Sequence, residues 1–288
     1  MSYSLNWVRN SNWTFEMDLR RFLEEDIGNG DITAEIFLDD RIGKGVILCE
    51  ENAVVAGLEE ASEIFRLLGV TAHALVKDGS RVTKGTKVMT LEGSIKNMLT
   101  GERTALNFIM RMSGISTMTS DLTAIVRKKD PDTKIAGTRK TTPGFRIFEK
   151  KAIALGGGWP HRNGLYDMVM IKDNHIAAMG GMSEVLEKID SVPKGMKIDI
   201  EVTSVEGGVI AATRGADIIM ADHMSPADTK LLREKVKRID PDILIEVSGN
   251  ITAENIAEYA GCADIISIGA LTHSVRAIHF SMDLEANN

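Results

Sequence analysis

Lys197-Ile198-Asp199-Ile200-Glu201-Val202, and one helix's length later Ile218-Ile219-Met220-Ala221-Asp222, are the stretches that decide the fold. Each is a short apolar run that delivers a carboxylate near its C-terminal end, and residues 204–214 between them read as a helix. The same unit recurs on both sides. Strands are expected near 134–138, 167–171, 197–202, 217–221, 243–247 and 264–268, and helices near 144–155, 182–190, 204–214, 226–239 and 252–260. Strands alternating with helices imply parallel βα units. The choice then lies between an open doubly wound sheet and a barrel. The strands finish on Thr138-Arg139-Lys140, Lys172-Asp173, Glu201, Asp222, Ser248-Gly249 and Gly269-Ala270. In a barrel these ends share one rim, where loops build a site; in an open sheet only those beside the switch point converge. Polar or glycine positions on all the ends favour a barrel. Six strands fall short of the usual eight, so the expected fold is α/β with a C-terminal incomplete (β/α) barrel.

The first hundred residues have a different rhythm. Phe15, Leu19, Phe22 and Leu23 recur at helical spacing behind Thr14, a plausible N-cap, and Leu58, Ala61, Ile64, Phe65 and Leu68 form a second amphipathic helix stopped by Gly69. Val46–Cys49 and residues 53–56 read as strands, and glycines 79, 85 and 93 punctuate a strand-turn-strand pattern over 74–92. At the other end Ile278, Phe280, Met282 and Leu284 alternate with polar residues. That period suits a half-buried strand returning to the N-terminal sheet better than a barrel strand.

Composition narrows the function. The chain has 288 residues, 43% of them hydrophobic, and a net charge of −7 from 34 basic and 41 acidic side chains. Such a chain buries a sizeable core, and its acidity argues against a general nucleic-acid coat. No apolar run approaches the roughly 18 residues that span a bilayer. The first residues, Met1 to Asn6, lack the basic and apolar regions of a signal peptide, and Cys49 and Cys262 are expected as two buried free thiols; both features suit the cytoplasm. No histidine or cysteine spacing fits a metal site, and no dinucleotide or P-loop fingerprint is present.

Arg139, Lys140, His161, Arg162 and Lys172 crowd around the first two barrel strand ends, beside the turn Gly156-Gly157-Gly158. Gathered on one rim they suit an anionic ligand, because guanidinium matches carboxylate and ammonium suits phosphate. Any single one of them also reads as an ordinary solvated cation. Glu201 and Asp222 can hold Mg²⁺, bond sugar hydroxyls, oppose a developing cation, or simply pair with the neighbouring bases. The turns Ser248-Gly249-Asn250 and Gly269-Ala270 let backbone approach a phosphate. Arg103 is read as lying in the apolar stripe of a helix over 97–112, with Leu99, Leu106 and Met110. There it either needs an anion, faces a subunit boundary, or snorkels from the stripe's edge.

These motifs carry a resemblance to a known family. Gly28-Asn29-Gly30-Asp31-Ile32-Thr33, Gly101-Glu102-Arg103-Thr104-Ala105-Leu106-Asn107, residues 137–144, His161-Arg162-Asn163-Gly164-Leu165, Ile171-Lys172-Asp173-Asn174-His175, Ala221-Asp222 with Met224-Ser225-Pro226, and residues 269–274 resemble quinolinate phosphoribosyltransferases over nearly the whole chain. The resemblance implies an N-terminal α/β sandwich (1–112, joined by the strand 275–288) and an open barrel (113–274) carrying the site. It implies transfer of phosphoribose from phosphoribosyl pyrophosphate to quinolinate with decarboxylation, giving nicotinate mononucleotide, pyrophosphate and CO₂ in NAD biosynthesis, with Mg²⁺. The active site would be shared between subunits of a homodimer or hexamer. Thr138, Arg139, His161, Arg162 and Lys172 would bind quinolinate, with Arg103 entering from the neighbouring subunit. Lys140, Lys172, Glu201 and Asp222 would be the catalytic set, Glu201 and Asp222 also holding the metal. Lys140, Ser248, Gly249, Asn250, Gly269 and Ala270 would cradle phosphate. Three places depart from the family's usual pattern: Trp159-Pro160, His223 and Asn250. The first is similar to a paralogous, molybdenum-transport-associated group acting on a different ring acid, whereas the intact 171–175 motif favours quinolinate. A Schiff-base aldolase using Lys172 and a non-catalytic phosphate-ligand sensor are the remaining readings.

Overall fold

The protein is described by a computed structural model covering residues 15–285. The expected cap Thr14 and the leading residues Met1 to Asn6 lie outside the described residues. The chain forms two compact units. One takes the residues up to Thr117, Ile147–Gly156 and those from Val275 on; the other takes Met118–Arg146 and Gly157–Ser274. No described helix is long and apolar enough to cross a membrane.

In the first unit the strands β1 (Ile42–Cys49), β3 (Thr71–Ala74) and β5 (Thr86–Ser94) join β12 (Phe280–Glu285) in an antiparallel sheet of order β12-β1-β5-β3, while β2 (Ala53–Val54) pairs with β4 (Arg81–Val82). The alternating C-terminal segment therefore does return to the N-terminal sheet, with Ile47 opposite Met282 and Cys49 opposite Phe280. Around the sheet lie the helices α1 (Phe15–Ile27), α2 (Ile32–Phe37) and α3 (Leu58–Leu67), with Asp31 capping α2 by accepting from the Ala34 amide. Cys49 is buried and Cys262 only half-buried; both are free thiols, so the expectation of two buried thiols holds for one.

The helix expected over 97–112 is much longer: α4 runs Ile95–Arg127. Its middle, Ser113 to Ser120, is rich in hydroxyls and contains Gly114, residues that ordinarily weaken a helix. Here those residues serve packing. Ser113 Oγ accepts from the Ala56 amide at 3.0 Å and donates to the Ala56 carbonyl at 3.2 Å, and Thr117 Oγ1 accepts from the Val54 amide at 2.8 Å. The helix thus satisfies backbone groups around β2 that a neighbouring strand would otherwise pair. Gly114 permits close approach too, since a Cβ there would meet the Arg276 carbonyl oxygen at 2.3 Å. Arg103 is exposed, although Leu106 of the expected stripe is buried; Met98, Ala105, Ile109 and Met112 of α4 are fully buried. Leu99 and Met110 lie only half-buried beside Arg103.

The helix α5 (Arg146–Leu155) contributes residues 147–155 to this first unit. Its reasons are visible in its partners. Phe148 packs edge-on against Phe108 (centroids 4.9 Å) and Phe22 (6.1 Å), pairs worth about 0.5–1.5 kcal/mol each beyond their buried area. Buried Glu149 accepts from Arg111 at 2.7 Å, and Lys151 donates to Glu59 and Glu60.

The second unit is a six-stranded, wholly parallel sheet. In chain order its strands are β6 (Lys134–Ala136), β7 (Val169–Ile171), β8 (Ile198–Val202), β9 (Ile218–Asp222), β10 (Leu244–Ser248) and β11 (Ile265–Ser267); in space they run β6-β11-β10-β9-β8-β7. The last strand pairs with the first, and the only consecutive strands that do not pair are β6 and β7. That is the cyclic order of a barrel open at one seam, as the strand ends implied. Beside the seam, Trp159 extends β6: its amide donates to the Ile135 carbonyl and its carbonyl accepts from the Gly137 amide. The helices are α6 (Asp173–Met179), α7 (Met182–Leu186), α8 (Val205–Thr213), α9 (Pro226–Ile239), α10 (Ile256–Tyr259) and α11 (Ala270–His273). Ser204 and Ser225 cap α8 and α9, the latter with Pro226 in its first turn. Sequence reading missed α6, whose start is secured when the Lys172 amide donates to His175 Nδ1 at 3.0 Å. It overextended α10, because Asn255 Oδ1 accepts from the Thr252 amide and holds 252–255 as a turn.

Glu51 secures the returning C-terminal segment. Arg276 donates to both its oxygens (3.0 and 2.5 Å) and the His279 amide to one (3.0 Å), which together hold its carboxyl down at about 2. A depressed carboxyl contributes stability above its ordinary value of 4.5 and loses it as pH falls through about 2. Glu51→Gln should therefore lower Tm by about 1–3 °C at neutral pH, the modest effect of an exposed pair, and the difference should vanish by pH 2 in a thermal-melt series.

Candidate functional site

Within the barrel unit, side chains alternate between the two faces of each strand, so residues two apart share a face. On β8 this pairs Asp199 with Glu201; on β10 it pairs Glu246 with Ser248. Each pair therefore puts a carboxylate one level below a residue at the strand's C-terminal end.

The lower level holds His161, Asp199 and Glu246, all buried. His161 has φ +59, a backbone conformation uncommon outside glycine, and its ring leans on Trp159 with centroids 4.6 Å apart. Its Nε2 lies 2.8 Å from Glu246 Oε2 and 3.9 Å from Asp199 Oδ2. Both Asp199 oxygens lack any hydrogen-bond partner. Burial above all, and then the neighbouring Glu246, push the Asp199 carboxyl well above the usual carboxylate range. Arg162 feels the opposite environment: burial and the Arg139 guanidinium beside it lower its hold on the proton, while Asp199 and Glu246 restore part of it. Arg139 Nε is buried without a partner. The loop carrying these residues is held by Arg146, which donates to Thr141 Oγ1 and to the Asn163 carbonyl at 2.9 Å each, and by Asp167, which accepts from the Asn163 and Gly164 amides.

At the upper level Lys172 donates to Glu201 at 2.5 Å, so the simple pairing foreseen for Glu201 is present. Burial first, then the Glu201 charge, raise the Asp222 carboxyl, against which His223, with Nε2 3.8 Å away, and Lys172 pull it down. Lys140 is exposed next to the Gly269 turn, where a Cβ on Gly269 would meet its Cδ at 3.1 Å, and its carbonyl accepts from Thr272. Thr138 Oγ1 accepts from the Lys140 amide. In the other turn Gly249 has φ +94 and Asn250 φ +52, and the His223 amide donates to the Ser248 carbonyl. His223 is itself left-handed, with φ +55.

The structure thus links Arg139, His161, Arg162, Lys172, Glu201 and Asp222 through contacts and mutual charge effects, and places Thr138, Lys140, Ser248, Gly249, Asn250, Gly269 and Ala270 at strand ends or turns of the same sheet. Arg103 belongs to the other unit. Sequence reading missed Asp199 and Glu246. Their signal was present, since a carboxylate within a buried parallel strand is costly unless something nearby compensates it. Arrangements of this kind, with crowded cations at one end and glycine turns at the other, define a barrel protein built for anionic ligands.

Comparison with known proteins makes that class particular. Residues 31–113 match the family model of the quinolinate phosphoribosyl transferase N-terminal domain, and residues 115–283 match that of its C-terminal domain. The chain belongs to the quinolinate phosphoribosyl transferase family. It is 41% identical over 256 residues (88% of this chain, 97% of the relative) to a probable nicotinate-nucleotide pyrophosphorylase [carboxylating] of Archaeoglobus fulgidus, and 40% identical over 274 residues (94% and 93%) to a counterpart of the same description in Bacillus subtilis. Among solved structures, the nicotinate-nucleotide pyrophosphorylase from Francisella tularensis superposes with a TM-score of 0.87 at 33% identity, covering 94% of this chain and 96% of that one.

Gly249 offers a direct check on the turn. A Cβ there would lie 2.7 Å from the His223 ring, on a backbone that disfavours side chains. Gly249→Ala should cost about 1–3 kcal/mol in denaturant unfolding, and an unchanged midpoint would show that the turn is not constrained in this way.

Proposed function

We propose that the protein transfers phosphoribose from phosphoribosyl pyrophosphate to quinolinate and releases CO₂, forming nicotinate mononucleotide and pyrophosphate. The observation that carries this reading is the clustering of Arg139, His161, Arg162 and Lys172 over buried carboxylates, a charge arrangement suited to a ligand with two carboxylates. In the mechanism, Arg139, His161 and Arg162 bind and orient the dicarboxylate, with Thr138 at the end of the same strand. Lys172, released from Glu201 as the ligand enters, opposes the negative charge that builds on the ring carbon when CO₂ leaves, and that carbon then takes up a proton from water. Glu201 and Asp222 then face the ribose, where pyrophosphate departure leaves positive character that carboxylates stabilise. Lys140 and the turns of Ser248, Gly249, Asn250, Gly269 and Ala270 hold phosphate through an ammonium and backbone amides.

The donor set fits Mg²⁺. Glu201 and Asp222 are hard oxygen donors close enough that one charge raises the other's carboxyl. Two carboxylates suit Mg²⁺, which is commonly held by one or two carboxylates together with substrate oxygens, and Glu201 and Asp222 would hold it. When bound it would supply charge neutralisation on the departing pyrophosphate.

The working enzyme is a homodimer or larger assembly, placed in the cytoplasm, in which Arg103 of one subunit completes the site of its neighbour. Its side chain is 60% exposed and its one close carboxylate, Glu102, stands at 4.0 Å, so it is open to an intersubunit ligand.

Incubation with both substrates and Mg²⁺ should release CO₂ and pyrophosphate in equal amounts; folded protein that releases neither would reject the reading. Turnover of nicotinate without CO₂ would instead favour the paralogous specificity for another ring acid, the outcome to which Trp159-Pro160 would then be assigned. Arg103→Ala and Lys172→Ala should each abolish activity. Mixing them should restore about a quarter of the wild-type rate, since half of randomly exchanged dimers would carry one intact site. No recovery after demonstrated subunit exchange would exclude a shared site.

A further inference from the structure

Nothing in the reaction as described uses Glu246, yet it makes the one close polar contact recorded for His161. Glu246 is 1% exposed and His161 8%, and the 2.8 Å contact between Oε2 and Nε2 spans 85 positions of sequence. A carboxylate can only accept in such a pair, so a hydrogen belongs on Nε2. The ring is fixed from two further directions, by the tilted Trp159 ring against it and by a backbone held at φ +59. A residue kept in a sparsely populated conformation and clamped by a buried partner is preorganised.

The trio His161, Asp199 and Glu246 has its ligand atoms within 4.8 Å of one another, a spacing that a divalent cation could also span. The direct bond between His161 and Glu246 and the positive charge of Arg162 alongside argue for orientation of the imidazole instead.

We propose that Glu246 is a positioning residue for the ring acid: it acts through His161, accepting from Nε2 and so holding the imidazole ring in one orientation beside Arg162. The inference rests on the reaction proposed above. It also gives β10 two tasks, since Glu246 serves the ring-acid end and Ser248, two residues on, serves the phosphate end.

The test combines a spectroscopic readout that needs no turnover with kinetics. Nitrogen-15 NMR of the histidines in the full chain, assigned with His161→Ala, should show the hydrogen of His161 on Nε2. A hydrogen on Nδ1 alone would overturn the proposal whatever the activity. Glu246→Gln, whose amide oxygen still accepts, should keep the tautomer and most of the activity. Glu246→Leu, which leaves nothing to accept, should populate the other tautomer and raise KM for quinolinate by about 10–100-fold with KM for phosphoribosyl pyrophosphate unchanged. In a His161→Ala background Glu246→Leu should cause no further loss, because a residue acting through another adds nothing once that other is gone. Equal rises in both KM values, or losses that multiply in the double variant, would overturn it, and Glu246→Ala with His161→Ala supplies the same cycle if Glu246→Leu does not fold. Absence of turnover by the unaltered protein would remove the proposed reaction, while the NMR result would still decide what Glu246 does.

Discussion

Asp199 and Glu246 sit beneath His161 and Arg162, and the presence of so many cations in one part of the barrel depends on them. Guanidinium groups as close as those of Arg139 and Arg162 weaken one another's hold on the proton, and burial adds to the effect. Glu246 and Asp199, placed by the regular alternation of β8 and β10, strengthen Arg162's hold on its proton, while burial and the Glu246 charge push the Asp199 carboxyl itself up. Lys172 and Glu201 repeat the arrangement one level higher. The barrel can therefore hold positive charge ready before an anion arrives. A bound dianion would exchange one set of counter-charges for another rather than create the first.

Much of this architecture could be read from the chain. The apolar runs with polar ends located all six barrel strands, because strand length and C-terminal polarity are local properties. The strict alternation of Ile278 to Leu284 placed the last strand in the other sheet, because one wet face leaves period two in the sequence. Long-range properties were less legible. The hydroxyls of Ser113 and Thr117 looked like weak helix formers, and their value emerges only against Ala56 and Val54. Arg103 lies at the exposed edge of its stripe, because Leu106 beside it is buried while Leu99 and Met110 are only half-buried. The same limit explains α5: Phe148, Glu149 and Lys151 find partners among residues 22 to 111, a choice no local pattern reveals.

The candidate site shows a similar division. Residues on strand ends were evident, since barrels expose that edge. Residues inside strands were not, although Ile198-Asp199-Ile200 and Ile245-Glu246-Val247 each interrupt an apolar run with a charge. In a fully buried parallel strand such an interruption calls for a partner, and here the partners come from the His161 loop beside the open seam. The seam itself follows from having six strands: β6 and β7 do not pair, and Trp159 takes up part of the free edge of β6.

One consequence follows from the way the first unit is assembled from three separate stretches of polypeptide. Its sheet lacks an outer strand until residues 280–285 have been made, and one of its helices is translated only after the first barrel strand. A ribosome would thus release nearly the whole chain before that unit could close, and no cut at a single peptide bond can liberate either unit intact.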